Sequence, residues 1–207
     1  MTQLSRRPAL AALLAFAGVA GVIALPQPAL VNAQEASSDM AYQVDPTHST
    51  IVFSAKYMGQ SPFFGMFTSS MGGMDYDGSD PSSLKIDISA PLSALDTHNE
   101  TRDGHLRGPD WFDAAEHPNV HFTGSGATAN EDGTHTLEGE LTLAGVTKPV
   151  TVTLTDLASG ETPRGQRMGI GGSFTVKRSD FGVTTMMGDS GIGDEITLHF
   201  GFQAVAQ

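Results

Sequence analysis

Apolar and polar residues alternate along much of the chain after residue 40. Five segments show the pattern clearly, and they are 51–57, 84–89, 137–143, 150–155 and 196–202. In the first of them, Ile51 and Phe53 share one face, while Ser54 and Lys56 lie on the other. Successive side chains of a strand point to opposite faces of a sheet, so this period of two predicts half-buried strands. The pattern therefore predicts an all-β protein with mostly antiparallel strands.

Turn signals and one irregular segment refine this picture. Asp132-Gly133 and Asp77-Gly78 each predict a tight hairpin between neighbouring strands. Residues 96–118 break the alternation with charges, helix formers and turn residues, and they predict one or two short helices across an end of the sheet. A single irregular crossing segment favours a closed barrel over a sandwich with two exposed edges.

The N-terminus has the features of an export signal. Arg6 and Arg7 precede an apolar run from Ala9 to Leu25, and Val31-Asn32-Ala33 has the small-x-small pattern that signal peptidase reads. The predicted organisation is a signal peptide at 1–33, a flexible leader at 34–41 and a barrel domain at 42–207. An uncleaved membrane anchor is the alternative, and both Sec and Tat export remain open. We therefore expect a periplasmic protein.

Composition and charge narrow the chemistry. The 207 residues suit one domain with accessory segments, and the absence of cysteine excludes disulfides, thiolate metal sites and cysteine nucleophiles. Removal of residues 1–33 leaves nine basic and 23 acidic residues, a formal charge of −14. Such a surface repels nucleic acid and anionic membranes, so no nucleic-acid partner is expected.

Candidate catalytic and metal motifs are weak. Residues 188–191 read Gly-Asp-Ser-Gly, as around a protease serine, but the chain lacks the Ala-Ala-His-Cys setting of the partner histidine. Asp45, His48 and Ser49 are triad residue types, yet close neighbours on an extended segment should diverge rather than converge. His117 and His121 have no further ligand at metal spacing. We therefore predict no catalytic residue, no metal site, no cofactor and no enzymatic activity.

Several separated blocks of sequence resemble the YceI-like family of periplasmic polyisoprenoid-binding proteins. The blocks are Tyr42-x-Val44-Asp45-Pro46-x-His48-Ser49, Gly65-x-Phe67, Asp96-Thr97, Arg102-Asp103-x-His105-Leu106, Trp111-Phe112-Asp113, Pro118 with Phe122, Gly139 to Val150, and Arg178-Ser179-Asp180-Phe181-Gly182. Their order and spacing cover nearly the whole predicted mature chain. The resemblance implies a lipocalin-like, eight-stranded antiparallel barrel with an apolar interior and a short helical segment covering one end.

The apolar side chains of the sequence, together with the needs of a lipid that has a polar head group, suggest two sets of ligand-binding residues. The apolar set comprises Phe53, Tyr57, Phe63, Phe64, Met66, Phe67, Trp111, Phe112, Phe122, Phe181, Met186, Met187 and Phe200. The candidates for contact with a polar head group are Arg102, His105, Arg107, Lys148 and Arg178, since arginine suits bidentate phosphate contact. Two departures bear on ligand length and head-group contact: Lys56-Tyr57 replaces a common Lys-His pair, and Trp111-Phe112 replaces two phenylalanines.

The expected function is to bind and sequester or transport a long isoprenoid-type lipid, such as a polyprenyl phosphate or a quinone. The alternative is a stress-response or interaction protein whose barrel is filled by its own side chains. Coordinates distinguish the two, because only a carrier needs an internal cavity. Further partners remain open besides the lipid. They are a membrane or a membrane redox protein, contacted transiently, and a second copy of the chain in a homodimer.

Overall fold

The computed structural model describes residues 40–188 and 190–207, so the predicted signal peptide and most of the predicted leader lie outside the described residues. This part of the chain forms twelve strands and one α-helix. The strands are β1 (Tyr42–Val44), β2 (Thr50–Tyr57), β3 (Ser61–Phe67), β4 (Met71–Asp75), β5 (Lys85–Pro91), β6 (Leu95–Asp96), β7 (Asn119–Ser125), β8 (Thr128–Ala129), β9 (His135–Leu143), β10 (Val146–Thr162), β11 (Gly165–Lys177) and β12 (Ile192–Ala206). The helix, α1, spans Glu100–Arg107.

The strands close into an eight-stranded antiparallel barrel. Three pairs of short strands, β1/β2, β3/β4 and β5/β6, are successive halves of longer interrupted strands. Both β1 and β2 pair with β12, β4 and β3 pair with β1 and β2 in turn, and β5 and β6 pair with β4 and β3. The ring then continues through β7, β9, β10, β11 and β12. It closes where β12 pairs with β1 and β2, with Tyr42 opposite Ala206 and Phe53 opposite Leu198. The predicted all-β barrel is therefore confirmed.

The two ends of the barrel are built differently. At one end, which we call the mouth, lie the β2–β3 turn at 58–60, the segment 97–118 with α1, and the loop 178–191. At the other end, which we call the closed end, lie the β10–β11 turn at 163–164 and the loop 76–84. The predicted short helical segment therefore lies at the mouth.

Helix α1 is held at the mouth by polar contacts at its first turn. The Asn99 side chain caps the helix by accepting a bond from the Arg102 backbone N–H at 2.9 Å. Asp103 is buried, and its carboxylate accepts bonds from the backbone N–H and the hydroxyl of Thr97. These bonds tie the helix to the end of β6. They also satisfy a carboxylate that would otherwise be costly to bury.

One of the two predicted tight hairpins is wrong. Asp132-Gly133 does lie in a short turn, in which the Asn130 N–H donates to the Thr134 carbonyl at 2.8 Å. Asp77-Gly78 instead begins the loop 76–84 between β4 and β5. The Asp77 carboxylate accepts bonds from the next backbone N–H groups, and a 3₁₀ turn at Pro81–Ser83 then lengthens the connection.

The closed end is filled by aliphatic and thioether side chains. Met74, Leu84, Leu137, Leu154 and Met168 are at most 1% exposed and belong to one apolar cluster. Full burial of such a side chain contributes about 1.5–3 kcal/mol. The closed end is therefore a packed core that leaves the mouth half free for another role.

Candidate functional site

An apolar cavity occupies the barrel between the packed core and the mouth. It has two adjoining sections that share Phe67, Val120, Leu141 and Leu198. The section nearer the closed end is lined further by Ile51, Ile86, Ile88, Ala90, Phe122, Val152, Phe174, Phe200 and Phe202. The section nearer the mouth is lined further by Phe53, Ala55, Phe63, Leu95, Leu106, Trp111, Phe112, Leu143, Val176, Arg178, Ile192 and Ile196.

The cavity has room for a ligand but offers almost no polar partner to water. The centre of a water-sized sphere can occupy about 60 Å³ in the deeper section and about 80 Å³ in the mouth section. A single water needs roughly 10–15 Å³ by this measure, together with two to four polar partners. Among the described residues, Arg178 is the one charged residue that lines either section, and the Trp111 indole N–H is the other polar group. The cavity therefore suits an apolar guest.

Glycines in the barrel wall keep this space open. Phe53 lies opposite Gly65, and Phe200 lies opposite Gly172. A Cβ atom at Gly65 would lie 2.3 Å from the Phe53 ring, and one at Gly139 would lie 2.5 Å from the Phe122 ring. Both distances are far below van der Waals contact, so the rings occupy the space that side chains would take there. The aromatic rings therefore rest against the wall instead of crossing the lumen.

The 97–118 segment covers the mouth section from above. Leu106 of α1 is buried, and Trp111 and Phe112 follow the helix and face the same section of the cavity. The Phe112 N–H donates to the Leu106 carbonyl at 3.1 Å, which folds the segment back over the helix end. This cover positions the aromatic side chains at the point where a ligand would leave the barrel.

Arg178 fastens the opposite side of the mouth. Its guanidinium donates four hydrogen bonds, to the carbonyls of Gly193 and Ile192 at 3.0 Å, Val183 at 2.9 Å and Thr185 at 2.8 Å. It also lies over the Trp111 ring, 5.4 Å from the centroid.

The electrostatics of Arg178 follow from its position. Burial lowers the pKa of the guanidinium below its usual range, and the nearby carboxylate of Asp194 opposes that shift. A guanidinium nevertheless keeps its proton in proteins, so Arg178 brings a buried positive charge to the cavity wall. Most of its donors are bound to backbone carbonyls. In this structure, therefore, its clearest task is to fasten loop 178–191 to β12.

The structure separates the predicted apolar ligand residues into three groups. The seven that line the cavity are Phe53, Phe63, Phe67, Trp111, Phe112, Phe122 and Phe200. Phe181 is 2% exposed within the core, and Met66 lies on the outer face of β3. The exposed residues are Tyr57, Phe64, Met186 and Met187. A role in ligand binding stays a prediction for each.

The predicted head-group residues do not converge on one point. Arg102 lies over the outer side of Phe63, 4.7 Å from the ring centroid, and donates to Thr97. His105 is exposed on α1, and Lys148 is exposed on β10. Arg107 makes a long bond to the Leu95 carbonyl at 3.5 Å. Of the five, Arg178 alone lines the cavity.

The cavity also includes residues that the sequence interpretation passed over. Much of the wall is aliphatic, for example Ile51, Ile88, Leu141 and Leu198. The period-two alternation already placed these side chains on inward faces and could have identified them. The wall glycines carried no such signal, because a glycine that receives an aromatic ring looks like any other glycine in the sequence.

The Asp45 cluster differs from its sequence interpretation in one respect. Asp45 and His48 do converge, with 2.9 Å between Oδ2 and Nδ1, because the 3₁₀ turn at Pro46–His48 brings them to the same side. Arg167 approaches the same carboxylate at 3.1 Å. The hydrogen bond from His48, helped by Arg167, holds the pKa of Asp45 below its usual value. This cluster fastens β1 to β11 at the closed end, away from the cavity.

Two further features are absent from the described residues 40–188 and 190–207. In that part of the chain no three His, Asp or Glu side chains are arranged to hold a metal ion. Over the same residues, no helix combines the length and apolar character needed to cross a bilayer.

Comparison with known families agrees with this geometry. The model of the YceI-like domain matches residues 42–204. The chain belongs to the YceI-like family. A UPF0312 protein of Pseudomonas aeruginosa is 31% identical to this YceI-like chain over 175 residues, which cover 84% of the chain and 90% of the relative. One from Ectopseudomonas mendocina is 29% identical over 171 residues, covering 82% and 90%.

Several solved structures share the barrel. BcnA of Burkholderia cenocepacia superposes with a TM-score of 0.67 at 23% identity, covering 78% of this chain and 99% of that one. A YceI protein of Campylobacter jejuni has a TM-score of 0.63 at 26% identity, covering 73% and 90%. A polyisoprenoid-binding domain from Saccharophagus degradans has a TM-score of 0.62 at 17% identity, covering 81% and 99%. The fold is therefore that of the YceI-like barrels.

Proposed function

We propose that the protein binds a long isoprenoid-type lipid inside the barrel and sequesters or carries it in the periplasm. The observation that supports this most directly is the cavity, an apolar space inside a closed barrel in which Arg178 is the one charged side chain among the described lining residues. The Saccharophagus degradans domain with the same fold is described as polyisoprenoid-binding. The export-like N-terminal sequence supports the periplasmic location.

The energetics favour a chain-like apolar ligand. Each buried methylene contributes about 0.8 kcal/mol, so ten buried carbons contribute several kcal/mol after the cost of immobilising the tail. The packed closed end gives the tail a floor, so the tail would enter first and leave the head group near Trp111 and Arg178. Because the cavity is narrow in this structure, a long tail must displace some lining side chains. Several lining side chains of the mouth section, for example Phe53 and Trp111, are only partly buried and border open space, so they have room to turn aside.

We propose that the protein binds the lipid and does not catalyse a reaction on it. A lipid-modifying enzyme needs an acid-base pair that meets the cavity. Of the described residues that line the cavity, Arg178 alone is ionisable, and it donates four hydrogen bonds to backbone carbonyls. The alternative of an interaction protein with a filled barrel is less consistent with the open mouth section.

The single tryptophan, Trp111, provides a built-in reporter. A prenyl quinone that enters the mouth section should quench Trp111 fluorescence with saturable, one-to-one stoichiometry. Phe53→Asp should abolish this binding, because it places a carboxylate among apolar side chains with no partner. A matched control is Ser54→Asp, which adds the same charge to the neighbouring residue on the outer face of β2.

Circular dichroism must show that the Phe53→Asp protein is folded. If it is not, Leu198→Ser offers a milder polar change in the wall shared by both sections. Full quinone binding by either folded variant would contradict the cavity assignment. If prenyl quinones with a series of tail lengths all fail to quench Trp111 fluorescence of the wild-type protein, the filled-barrel alternative would be favoured.

A further inference from the structure

Most of the large apolar side chains that the described structure exposes gather at the mouth. Five such residues are more than 40% exposed, and four of them are Tyr57, Met58, Met186 and Met187. Tyr57 pairs with Ile192, Met187 bridges to Ile192, and the Met58 N–H donates to the Gly191 carbonyl at 2.7 Å. The two stretches therefore form one surface, which we call the methionine rim and define as Tyr57, Met58, Met186 and Met187.

The backbone presents the rim outward at a conformational cost. Met58 has φ of 51° and Met186 has φ of 55°, in the left-handed region that non-glycine residues seldom adopt. Asn, Asp or Gly would fit these turn positions with less strain and would be better solvated. Flexible, apolar methionines at two strained and exposed positions are typical of a contact surface that adapts to its partner.

The charge pattern identifies the kind of partner. Residues 57–74 and 181–188 contain no charged side chain, although the whole chain carries a formal charge of −12. A strongly acidic protein is repelled by anionic surfaces, so an uncharged apolar rim favours a zwitterionic bilayer. Tyr57 and the adjacent exposed Lys56 are residue types that settle at a bilayer interface, where the ring or the ammonium group stays near the head groups.

The rim adjoins the cavity directly. Ile192 pairs with Tyr57 of the rim and also lines the mouth section of the cavity. A lipid that leaves a bilayer beneath the rim would thus pass from acyl chains to an apolar wall with little exposure to water. We propose that the methionine rim docks the barrel, mouth first, onto a zwitterionic lipid bilayer. This inference deepens the proposed lipid-binding function and rests on it.

The test separates docking from ligand binding. The full chain is expressed, and the protein is purified as the cells deliver it. Its binding to phosphatidylcholine vesicles is measured by sedimentation. In a separate assay, uptake of a prenyl quinone from detergent solution is followed by Trp111 fluorescence. Met58→Asp should lower the vesicle partition about tenfold, because it removes one apolar side chain that would be buried in the bilayer, and adding Met186→Asp should lower it further. Aspartate tolerates the left-handed backbone, so both variants should fold. Uptake from detergent by Met58→Asp should match that of the wild type.

Controls make the outcomes distinct. Thr153→Asp with Ala158→Asp adds the same two charges to exposed positions on β10 and should leave vesicle binding intact. Two results would overturn the docking proposal but leave the lipid-binding proposal intact. In the first, the wild-type protein takes up quinone from detergent but does not bind the vesicles. In the second, the rim forms a dimer interface, and the dimer is lost in Met58→Asp. Protein that binds vesicles through the rim but takes up no quinone would support docking and contradict the proposed lipid-binding function.

Discussion

The closed end and the mouth of this barrel share strands but differ in how they are filled. Near the closed end, the inward side chains include Met74, Leu137, Leu154 and Met168, and they are almost fully buried. Towards the mouth, the Phe53 ring on β2 rests against Gly65 on β3, and the lumen stays open. The comparison shows that the two ends have different roles: the closed end contributes most of the packing that stabilises the fold, and the mouth half provides the space for a ligand.

Cavity-forming substitutions should have the largest effect and should differ between the two ends. Leu154→Ala at the closed end should lower the free energy of unfolding by about 3–5 kcal/mol, because a fully enclosed side chain leaves an unfilled hole. Leu198→Ala in the cavity wall should cost less than about 2 kcal/mol, because that side chain already borders open space. Urea denaturation of both variants measures the difference. Equal losses would contradict the division into packed and hollow halves.

The second effect concerns the fastening of the mouth. Arg178→Lys keeps the charge but cannot reproduce four directed bonds to carbonyls, so it should cost about 1–3 kcal/mol. Hydrogen exchange should speed up in residues 183–193 and remain slow at the closed end. Uniform acceleration throughout the barrel would show that Arg178 supports the whole fold rather than the mouth.

The third effect tests the glycine-backed wall. Gly65→Ala should turn the Phe53 ring into the lumen, because the new Cβ meets only side-chain atoms there and the backbone need not move. We expect about tenfold weaker binding of a prenyl ligand with little loss of stability. Gly201→Ala is the matched control, since nothing lies within 4 Å of its Cβ position. Undiminished binding by Gly65→Ala would mean that the Phe53 ring does not border the ligand.

The smallest effect is a pH dependence at the closed end. The lowered pKa of Asp45 means that its carboxylate contributes stability above the ordinary value of 3.8, and that this contribution disappears as the pH falls through the lowered value. Asp45→Asn should therefore lower the melting temperature at neutral pH. The difference from wild type should shrink as the pH falls below about 4. A difference that is constant with pH would assign the effect to packing instead.

Sequence patterns predicted the architecture better than the site. Alternation at 51–57 and 137–143 was sufficient for β2 and β9, and the irregular composition of 96–118 marked the helical cover. Strand β11 was not predicted, because Gly172 interrupts its inward apolar face and Gly169 and Gly171 leave its outer face without polar side chains. The barrel needs Gly172, since this glycine gives space to Phe200 across the strand pair. A glycine of this kind can be recognised only when the pairing register of β11 and β12 is known, because that register places Phe200 beside it.

The candidate site was predictable by residue type but not by orientation. Phe53, Phe63 and Phe67 were expected in the cavity, and alternation along β2 and β3 places them there. The same alternation turns Phe64 and Met66 outward, which composition alone could not show. Met186 follows no strand pattern, and its exposure depends on a left-handed turn in loop 178–191. Such turns depend on tertiary contacts, in this case the fastening by Arg178.

The most direct test of the hollow mouth half is native mass spectrometry of the protein purified from its own cell envelope, followed by organic extraction of what it holds. The account predicts a one-to-one complex with a prenyl lipid or quinone that is lost when Phe53→Asp is purified in the same way. A protein that is empty as purified, and stays empty when offered such lipids, would contradict the account and show that the barrel is not a lipid carrier.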